Sequence, residues 1–335
     1  MKDHVSVSDV LDKQTTSPFK ALTSNQAFYV FVSVCIIIAV MSQVHHNFLS
    51  TGNFYNVTRN FAFIGIMAVG MTAVIITAGI DLSVGSTLGL VMMVSAVALK
   101  DWGWSVAATI ALGVFTSLVV GGINGILIAY LRLNPFIVTL GMLSIARSIT
   151  LVWTNAAPVT LRRGSDAAAI FMKIGGGSLL GVANPVWALL VVMIVVALIL
   201  KLTVWGRYVY AIGGNENAAR LTGVPVDVIK VSVYMLSALT AGIAGLLMLG
   251  WAGSALSNFG TGYELRVIAS SVIGGANLLG GAGSAIGGVI GAALIEIIRN
   301  SLLLAGVNTF WQGTFVGLFI IFAVVLEKVR NRGAT

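Results

Sequence analysis

The chain has 335 residues, of which 58% are hydrophobic and 9% are charged. Soluble proteins carry about 25% charged residues, so this composition excludes a soluble globular protein and indicates an integral membrane protein. The net charge of +8 does not indicate nucleic-acid binding, because Lys and Arg lie mainly at the ends of apolar segments, as membrane orientation signals do.

About ten apolar segments approach the length, about 20 residues, that crosses a hydrocarbon core about 30 Å thick. The polar residues 1–26 precede the first segment, and no cleavage site of small residues follows cleanly after Met41, so we interpret them as a cytoplasmic tail and not as a cleaved signal. Gly, Ser and Asn interrupt the third and eighth segments. The segments are 27–44, 61–80, 84–99, 105–131, 136–154, 186–204, 231–252, 263–280, 282–305 and 310–327.

Asp81 is a charged residue between the second and third segments, within the sequence GIDLSVGS at 79–86. A charge costs about 2.5–3.5 kcal/mol at the centre of a membrane helix, so we expect Asp81 to face a cavity or a partner. Ser83 and Ser86 supply hydroxyl groups beside it. Asp81 therefore lines a pathway, caps the third segment from its N-terminus, or does both.

Glycine clusters are a second signal, since the chain has 39 glycines. Small residues let membrane helices approach closely. The glycines between 274 and 288 are too dense for a steady helix, which predicts a broken or re-entrant element covered by protein or by a water-filled cavity.

A weak internal repeat accompanies these clusters. The sequence GGING at 121–125, before Arg132, resembles GGVIG at 287–291, before Arg299. Two halves of five segments each would be inverted relative to one another, which is a recurring transporter design. Chance similarity between two glycine-rich helices is the alternative.

One long polar stretch, residues 204–230, interrupts the apolar pattern. Asn215 suits a helix N-cap, Gly223 suits a left-handed C-terminal cap, and Pro225 lies just beyond. These signals predict a helix of roughly two turns outside the bilayer, on which Ala218 and Ala219 form a smooth surface for a partner. An ordinary connecting loop is the alternative.

The distribution of positive charge predicts the orientation. With an even number of segments and both termini inside, the polar stretch is cytoplasmic. The cytoplasmic side then collects Lys2, Lys13, Lys20, Arg132, Lys201, Arg207, Arg220, Lys230, Lys328, Arg330 and Arg332. The opposite side has Arg59, Lys100, Arg162, Arg163 and Lys173.

Several chemical functions have no support in the sequence. No lysine follows a glycine, so the chain lacks a phosphate-binding loop. Cys35 is the single cysteine, which excludes an intrachain disulfide and a cysteine-based metal site. His45 and His46 would point about 100° apart on a helix, with no carboxylate or Cys near them in sequence. We therefore predict a protein that is not an enzyme and that holds no metal.

Charged residues also lie in the last third of the chain. Glu264 and Arg266 flank the start of the eighth segment. Glu296 and Arg299 are three residues apart, so they can pair on one helix face. We interpret this second pair as structural.

Four sequence blocks are long enough to be specific. They are GIDLSVGS at 79–86, NPFIVTLGMLSIARS at 134–148, AIGGNENAARLTGV at 211–224 and YELRVIASSVIGGANLLGGAGS at 263–284. These blocks resemble the permease subunits of bacterial ABC importers for monosaccharides, the ribose-permease group, and the resemblance runs in order over nearly the whole chain. The stretch 258–261 and the Arg162-Arg163 loop lie outside these blocks.

The resemblance implies an all-α polytopic protein of the bacterial inner membrane with about ten transmembrane helices, some broken or re-entrant. In that family two permeases pair, here as a homodimer, two ATPase subunits dock on the cytoplasmic face, and a periplasmic binding protein delivers the sugar. ATP and Mg would be bound by the partner ATPase and no cofactor by this chain, which contacts membrane lipid and no nucleic acid.

The domains and sites follow from this resemblance together with the residues. A cytoplasmic tail (1–26), a permease domain (27–327) with a cytoplasmic coupling loop (205–230) and a second cytoplasmic tail (328–335) are expected. The expected ATPase-coupling residues are Gly213, Asn215, Ala218, Ala219, Arg220 and Gly223. The expected pathway residues are Asp81, Ser83, Ser86, Asn124 and Asn277.

Other functions stay open. An ABC permease for a branched amino acid or a nucleoside would share this architecture and differ in its binding protein. An ion-coupled secondary transporter would place a carboxylate within a span, for which Asp81 is the candidate. A pathway of glycines, hydroxyls and amides suits a neutral polyhydroxylated solute, but it does not separate ribose from xylose, galactose or inositol.

Overall fold

The computed structural model describes residues 26–161, 165–308, 311, 313–315 and 317–318. The predicted tail 1–26 lies outside these residues except for Gln26, which begins a helix. The predicted tail 328–335, the Arg162-Arg163 loop and most of the tenth apolar segment also lie outside them.

Helices dominate the described part of the chain, with four two-residue strands between them. In chain order the elements are α1 (Gln26–Val44), α2 (Thr51–Ile76), α3 (Val84–Lys100), α4 (Val106–Ala129), α5 (Pro135–Thr154), β1 (Val159–Thr160), α6 (Asp166–Gly176), β2 (Ser178–Leu179), β3 (Val182–Ala183), α7 (Asn184–Leu202), α8 (Val204–Gly214), α9 (Glu216–Leu221), α10 (Val226–Ala252), β4 (Ser254–Ala255), α11 (Tyr263–Ile273) and α12 (Ala285–Leu304).

Seven helices within the described residues are long and apolar enough to cross a membrane, namely α1, α2, α4, α5, α7, α10 and α12. The all-α, polytopic membrane architecture is therefore confirmed. α3 is also apolar but has 17 residues, and α11 has 11. The eighth predicted segment, 263–280, is thus helical only as far as Ile273, because the chain then enters a turn in which Gly275, Gly280 and Gly281 have positive φ.

Helix boundaries extend beyond the apolar segments at two places. α2 begins at Thr51, well before the predicted start at 61, and the Ser50 hydroxyl caps it by accepting a hydrogen bond from the Asn53 backbone N–H. α10 begins at Val226, before the predicted 231. Both extensions carry polar residues, so the apolar pattern marks the length of a span and not the length of its helix.

The core lies around α10, which packs against α2, α3 and α4. Glycines allow the closest of these contacts. A Cβ on Gly121 of α4 would lie 2.6 Å from the Tyr234 carbonyl oxygen of α10, and a Cβ on Gly70 of α2 would lie 2.9 Å from Ser237 Cα. Residues 62–76 of α2 and 84–99 of α3 are buried throughout, so these two helices form the inside of the bundle.

Two short antiparallel pairs join loops at one end of the molecule. β1 pairs with β4, with Val159 opposite Ala255, and β2 pairs with β3. The β2–β3 hairpin precedes α7, and α8 and α9 follow α7. The two ends of α7 therefore define two ends of the molecule, which we call the hairpin end and the α8–α9 end.

Candidate functional site

The candidate site begins at the break between α2 and α3. Ala78 has a positive φ of 57°, so the chain turns there before α3 begins. Gly79 lies against α10, since a Cβ on it would be 2.5 Å from the Tyr234 hydroxyl oxygen. The turn places Asp81 inside the protein, with an exposed fraction of 0%.

Asp81 is the centre of a hydrogen-bonded group, formed with Ser83, Asn124 and Ser237, that we call the Asp81 cluster. Asp81 Oδ1 accepts hydrogen bonds from the Ser83 backbone N–H at 2.9 Å and from Ser83 Oγ at 2.6 Å. Asp81 Oδ2 accepts one from Ser237 Oγ of α10 at 2.8 Å. Asn124 Nδ2 of α4 donates to Ser83 Oγ at 2.9 Å. The cluster therefore ties the break to both α4 and α10.

The buried carboxylate of the Asp81 cluster is balanced by hydrogen-bond donors. Among the residues that the structure describes, Asp81 forms no ion pair with Lys or Arg. A buried charge must be hydrogen-bonded to be tolerated, and the three bonds to Asp81 meet that need. Asn124 Oδ1 is also buried, and it has no donor within the described residues. The cluster thus combines a carboxylate, two hydroxyls and an amide in one enclosed place.

Asp81 is not the N-cap residue of α3, because that position is Ser83 and no side-chain cap hydrogen bond forms there; Asp81 instead accepts the Ser83 backbone N–H just before the helix begins. Ser86 belongs to the same turn, since its hydroxyl donates to the Ser83 carbonyl oxygen at 2.9 Å. All four predicted pathway residues before 130, including Asn124, are buried in this conformation. Their role in a pathway stays a prediction.

Asn277 lies apart from the Asp81 cluster, in the loop of residues 274–284 that we call the glycine loop. Its Oδ1 accepts a hydrogen bond from the Leu279 backbone N–H at 2.8 Å, and its backbone N–H donates to the Ala282 carbonyl oxygen at 3.0 Å. In this conformation Asn277 stabilises the turn of the glycine loop.

The predicted surface helix is present as α9, with the predicted caps. Asn215 Oδ1 accepts a hydrogen bond from the Ala218 backbone N–H at 3.0 Å, and Gly223 has a φ of 86° just after the helix ends. The prediction that both alanines form the outer surface is wrong for Ala219, which is 4% exposed. Ala219 instead belongs to the buried hydrophobic core. The large hydrophobic side chain of Leu221, on the same helix, is 90% exposed.

Two ion pairs fasten α9 to the first turns of α10. The Arg220 guanidinium donates two hydrogen bonds to the Asp227 carboxylate, at 3.0 Å and 2.7 Å. Lys230 Nζ donates to Glu216 Oε2 at 2.6 Å. The bond to Asp227 raises the pKa of Arg220 above its ordinary value. Arg220, predicted to contact a partner, is therefore engaged within the chain.

α8 contacts both the break and the glycine loop. A Cβ on Gly213 would overlap the Ile76 carbonyl oxygen and the Gly281 backbone nitrogen. Gly281 itself donates its backbone N–H to the Ile76 carbonyl oxygen at 2.9 Å. The Tyr210 hydroxyl donates to the Gly283 carbonyl oxygen at 2.8 Å. Three segments distant in sequence thus meet at Gly213.

Ser237 and Tyr210 were not predicted as site residues. Ser237 bonds to a residue 156 positions away, and Tyr210 to one 73 positions away, so no local spacing relates the partners. A hydroxyl within the apolar segment 231–252 was the available signal for Ser237, because polar groups inside membrane helices seek partners.

A second polar group joins α5 to the loop before α11. Arg147 Nη1 donates to the carbonyl oxygens of Ser257 and Phe259, at 2.8 Å and 2.7 Å. Glu264 Oε1 accepts from the Gly262 backbone N–H at 3.1 Å. These bonds hold the loop against the bundle.

The predicted pair of Glu296 and Arg299 is confirmed, since Arg299 Nε donates to Glu296 Oε2 at 2.8 Å. The described part of the chain contains no group of three or more His, Cys, Asp or Glu residues that could hold a metal ion.

Comparison with known proteins gives consistent matches. The sequence model of one family, described as "Branched-chain amino acid transport system / permease component", matches residues 53–324. The chain is 39% identical to the ribose import permease protein of Escherichia coli (strain K12) over 302 residues, 90% of this chain and 93% of that protein. No solved structure matches the chain.

Two further relatives carry the names of other sugars. The fructose import permease protein of Rhizobium meliloti is 33% identical over 305 residues, 88% of this chain and 85% of that protein. The L-arabinose ABC transporter permease protein of Azospirillum brasilense is 32% identical over 296 residues, 88% of this chain and 86% of that protein.

Proposed function

Because this chain belongs to the family of transport-system permease components that its sequence matches, we propose that it is the membrane-spanning subunit of an ATP-driven ABC importer for a monosaccharide. The carrying observation is the 39% identity to a ribose import permease over 90% of the chain. Relatives named for fructose and L-arabinose support a sugar as the solute class. The family description names branched-chain amino acids, so family membership alone does not define the solute.

The proposed energy source is a separate ATPase subunit, which binds ATP and Mg and docks on α9. The exposed Leu221 and Ala218 are the side chains on α9 that such a subunit would contact. Movement of α9 passes to α8 through the residue that joins them, Asn215. From α8 it reaches the break and the glycine loop through Gly213 and Tyr210.

The proposed pathway passes the Asp81 cluster and the glycine loop. Hydroxyl, amide and carboxylate groups can exchange their mutual hydrogen bonds for bonds to a neutral polyhydroxylated solute. In the present conformation they bond to one another, and we propose that the pathway would be closed at the break in this state. Alternating access would separate α3, α4 and α10 enough to release these groups.

The finer architecture is part of the same proposal. The permease domain of 27–327 would have about ten spans, work as a homodimer, receive solute from a periplasmic binding protein and place both termini in the cytoplasm. The inverted repeat, in which GGING at 121–125 corresponds to GGVIG at 287–291, belongs to the same proposal.

Reconstitution tests this function. We expect sugar uptake into proteoliposomes to require the permease, its ATPase and its binding protein together, and to continue when ion gradients are collapsed. Uptake by the permease alone, driven by a proton or sodium gradient, would instead establish a secondary transporter with Asp81 as the coupling carboxylate.

The binding protein identifies the solute. We expect pentoses or hexoses to raise its melting temperature, whereas leucine and nucleosides leave it unchanged. A shift with leucine or a nucleoside only would replace the sugar assignment while leaving the importer architecture intact.

A further inference from the structure

A groove of about 520 Å³ lies where the end of α7, the start of α8 and the start of α12 meet. Its walls are of two kinds. Ala197, Leu200 and Ile286 form an apolar side, whereas Lys201, Arg207 and Ser284 contribute polar groups. The groove is therefore amphipathic.

The polar side of the groove carries uncompensated positive charge. Lys201 and Arg207 are exposed, and neither pairs with a carboxylate in the part of the chain that the structure describes. Arg220 on α9 and Lys230 on α10 do have carboxylate partners. An ammonium and a guanidinium that line the same groove are suited to a phosphate group.

α7, which forms one wall of the groove, carries exposed apolar side chains. α7 is an apolar helix of 19 residues and a candidate membrane span, and Val191, Ile194 and Leu198 on it are exposed. Ile286, at the start of α12, is 49% exposed. A ligand in this groove therefore meets cations at one end and bilayer-facing side chains at the other, a combination that a soluble anion would not use.

We propose that this groove binds an anionic phospholipid, with the headgroup phosphate held by Lys201 and Arg207 and an acyl chain lying along Ala197 and Ile286. Ser284 adds a hydroxyl that caps no backbone N–H of α12. Basic pockets between transmembrane helices are suited to acidic headgroups. The lipid would bridge α7, α8 and α12 beside Tyr210, whose hydroxyl donates to the glycine loop. It would thus brace the elements through which α8 acts.

Lipid binding to the purified full-length permease tests this proposal, without ATP or solute, so its outcome is independent of the transport assignment. The double variant Lys201→Gln/Arg207→Gln removes both cations. The matched control Lys100→Gln/Lys173→Gln removes the same charge from exposed positions at the hairpin end. Native mass spectrometry with added phosphatidylglycerol or phosphatidylcholine measures the bound lipid.

We expect phosphatidylglycerol to bind the wild type and the control with similar affinity. Its affinity for the groove variant should be lower by about tenfold or more. Phosphatidylcholine should bind all three alike. Equal binding of phosphatidylglycerol to all three proteins would overturn the proposal. Displacement of bound phosphatidylglycerol by inorganic phosphate would overturn the lipid assignment and identify a site for a soluble anion.

Discussion

The Asp81 cluster and helix α9 are both polar, but opposite kinds of contact hold them in place. The cluster is buried, and its side chains bond across 41 and 156 positions of sequence. α9 is exposed, and its cap and ion pairs join residues at most 14 positions apart. A change in the cluster therefore disturbs the packing of several helices, whereas a change on the outer face of α9 alters a surface and leaves the bundle intact.

The largest effect is expected for Asp81→Leu. It removes three hydrogen bonds and leaves the buried Ser83 and Ser237 without their acceptor, which we expect to lower the free energy of unfolding by about 3 kcal/mol or more and to abolish uptake. Asp81→Asn keeps an acceptor for the Ser83 N–H, so its loss should be smaller. Melting temperature and uptake at equal membrane protein levels measure both effects.

Comparison of Asp81→Leu with Asp81→Asn also tests whether hydrogen bonds, and not the negative charge, hold the Asp81 cluster together. Equal and severe loss of uptake in both variants, with normal stability, would show that the negative charge itself is required. That result would favour ion coupling. Unchanged uptake in both would leave Asp81 without a role in transport.

The next largest effect is expected for Gly213→Ala, at the contact between the two regions. The added methyl group overlaps backbone atoms of Ile76 and Gly281, which cannot move aside as a side chain end can. We expect a cost of about 1–3 kcal/mol and a loss of most of the ATP-driven uptake. Gly214→Ala is the matched control, because a Cβ there meets nothing within 4 Å. Equal effects of both variants would contradict a specific contact at Gly213.

Leu221→Asp tests α9 as a docking surface. Because Leu221 is exposed, the variant should change the free energy of unfolding by no more than about 0.5 kcal/mol. Copurification of the ATPase should nevertheless fall at least tenfold, and uptake with it. Leu180→Asp, an equally exposed position at the hairpin end, is the control and should retain the ATPase. Normal copurification by Leu221→Asp would remove α9 from the interface.

Asn215→Ala should have the smallest effect. It deletes the N-cap of a six-residue helix, which costs about 0.5–2 kcal/mol locally, while the ion pairs to α10 still hold the helix. We expect uptake to fall several-fold and hydrogen exchange of residues 216–221 to accelerate. Asn217→Ala, on the same helix, should change neither. A global loss of stability would show that α9 is part of the core.

α9 was predictable from sequence because its signals are local: Asn215, Gly223 and Pro225 lie within one short stretch. The polar nature of the Asp81 region was equally visible. The partners of Asp81 were not, because they depend on how α4 and α10 pack against the break. Ala219 was predicted on the outer face, and this was wrong because the sequence of α9 does not indicate which face of the helix packs against α10.

The eighth apolar segment shows a related limit. Its hydropathy alone suggested a span from 263 to 280, but the glycines after Ile273 favour a turn that packs against Ile76 and α8. The dense glycines did indicate a break, and they were the better guide. The position at which the turn packs could not be predicted, because it depends on contacts with residues that are distant in sequence.

The contact at Gly213 consists of main-chain atoms from three segments, and this has a mechanical consequence. Side chains between two moving parts can absorb a displacement by changing rotamer. Ile76, Gly213 and Gly281 meet through their backbones, where no rotamer change is possible. A displacement of α8 should therefore displace the break and the glycine loop by nearly the same amount. The transmission of movement from α8 would also be independent of the transported solute, since this contact contains no side chain that selects a solute.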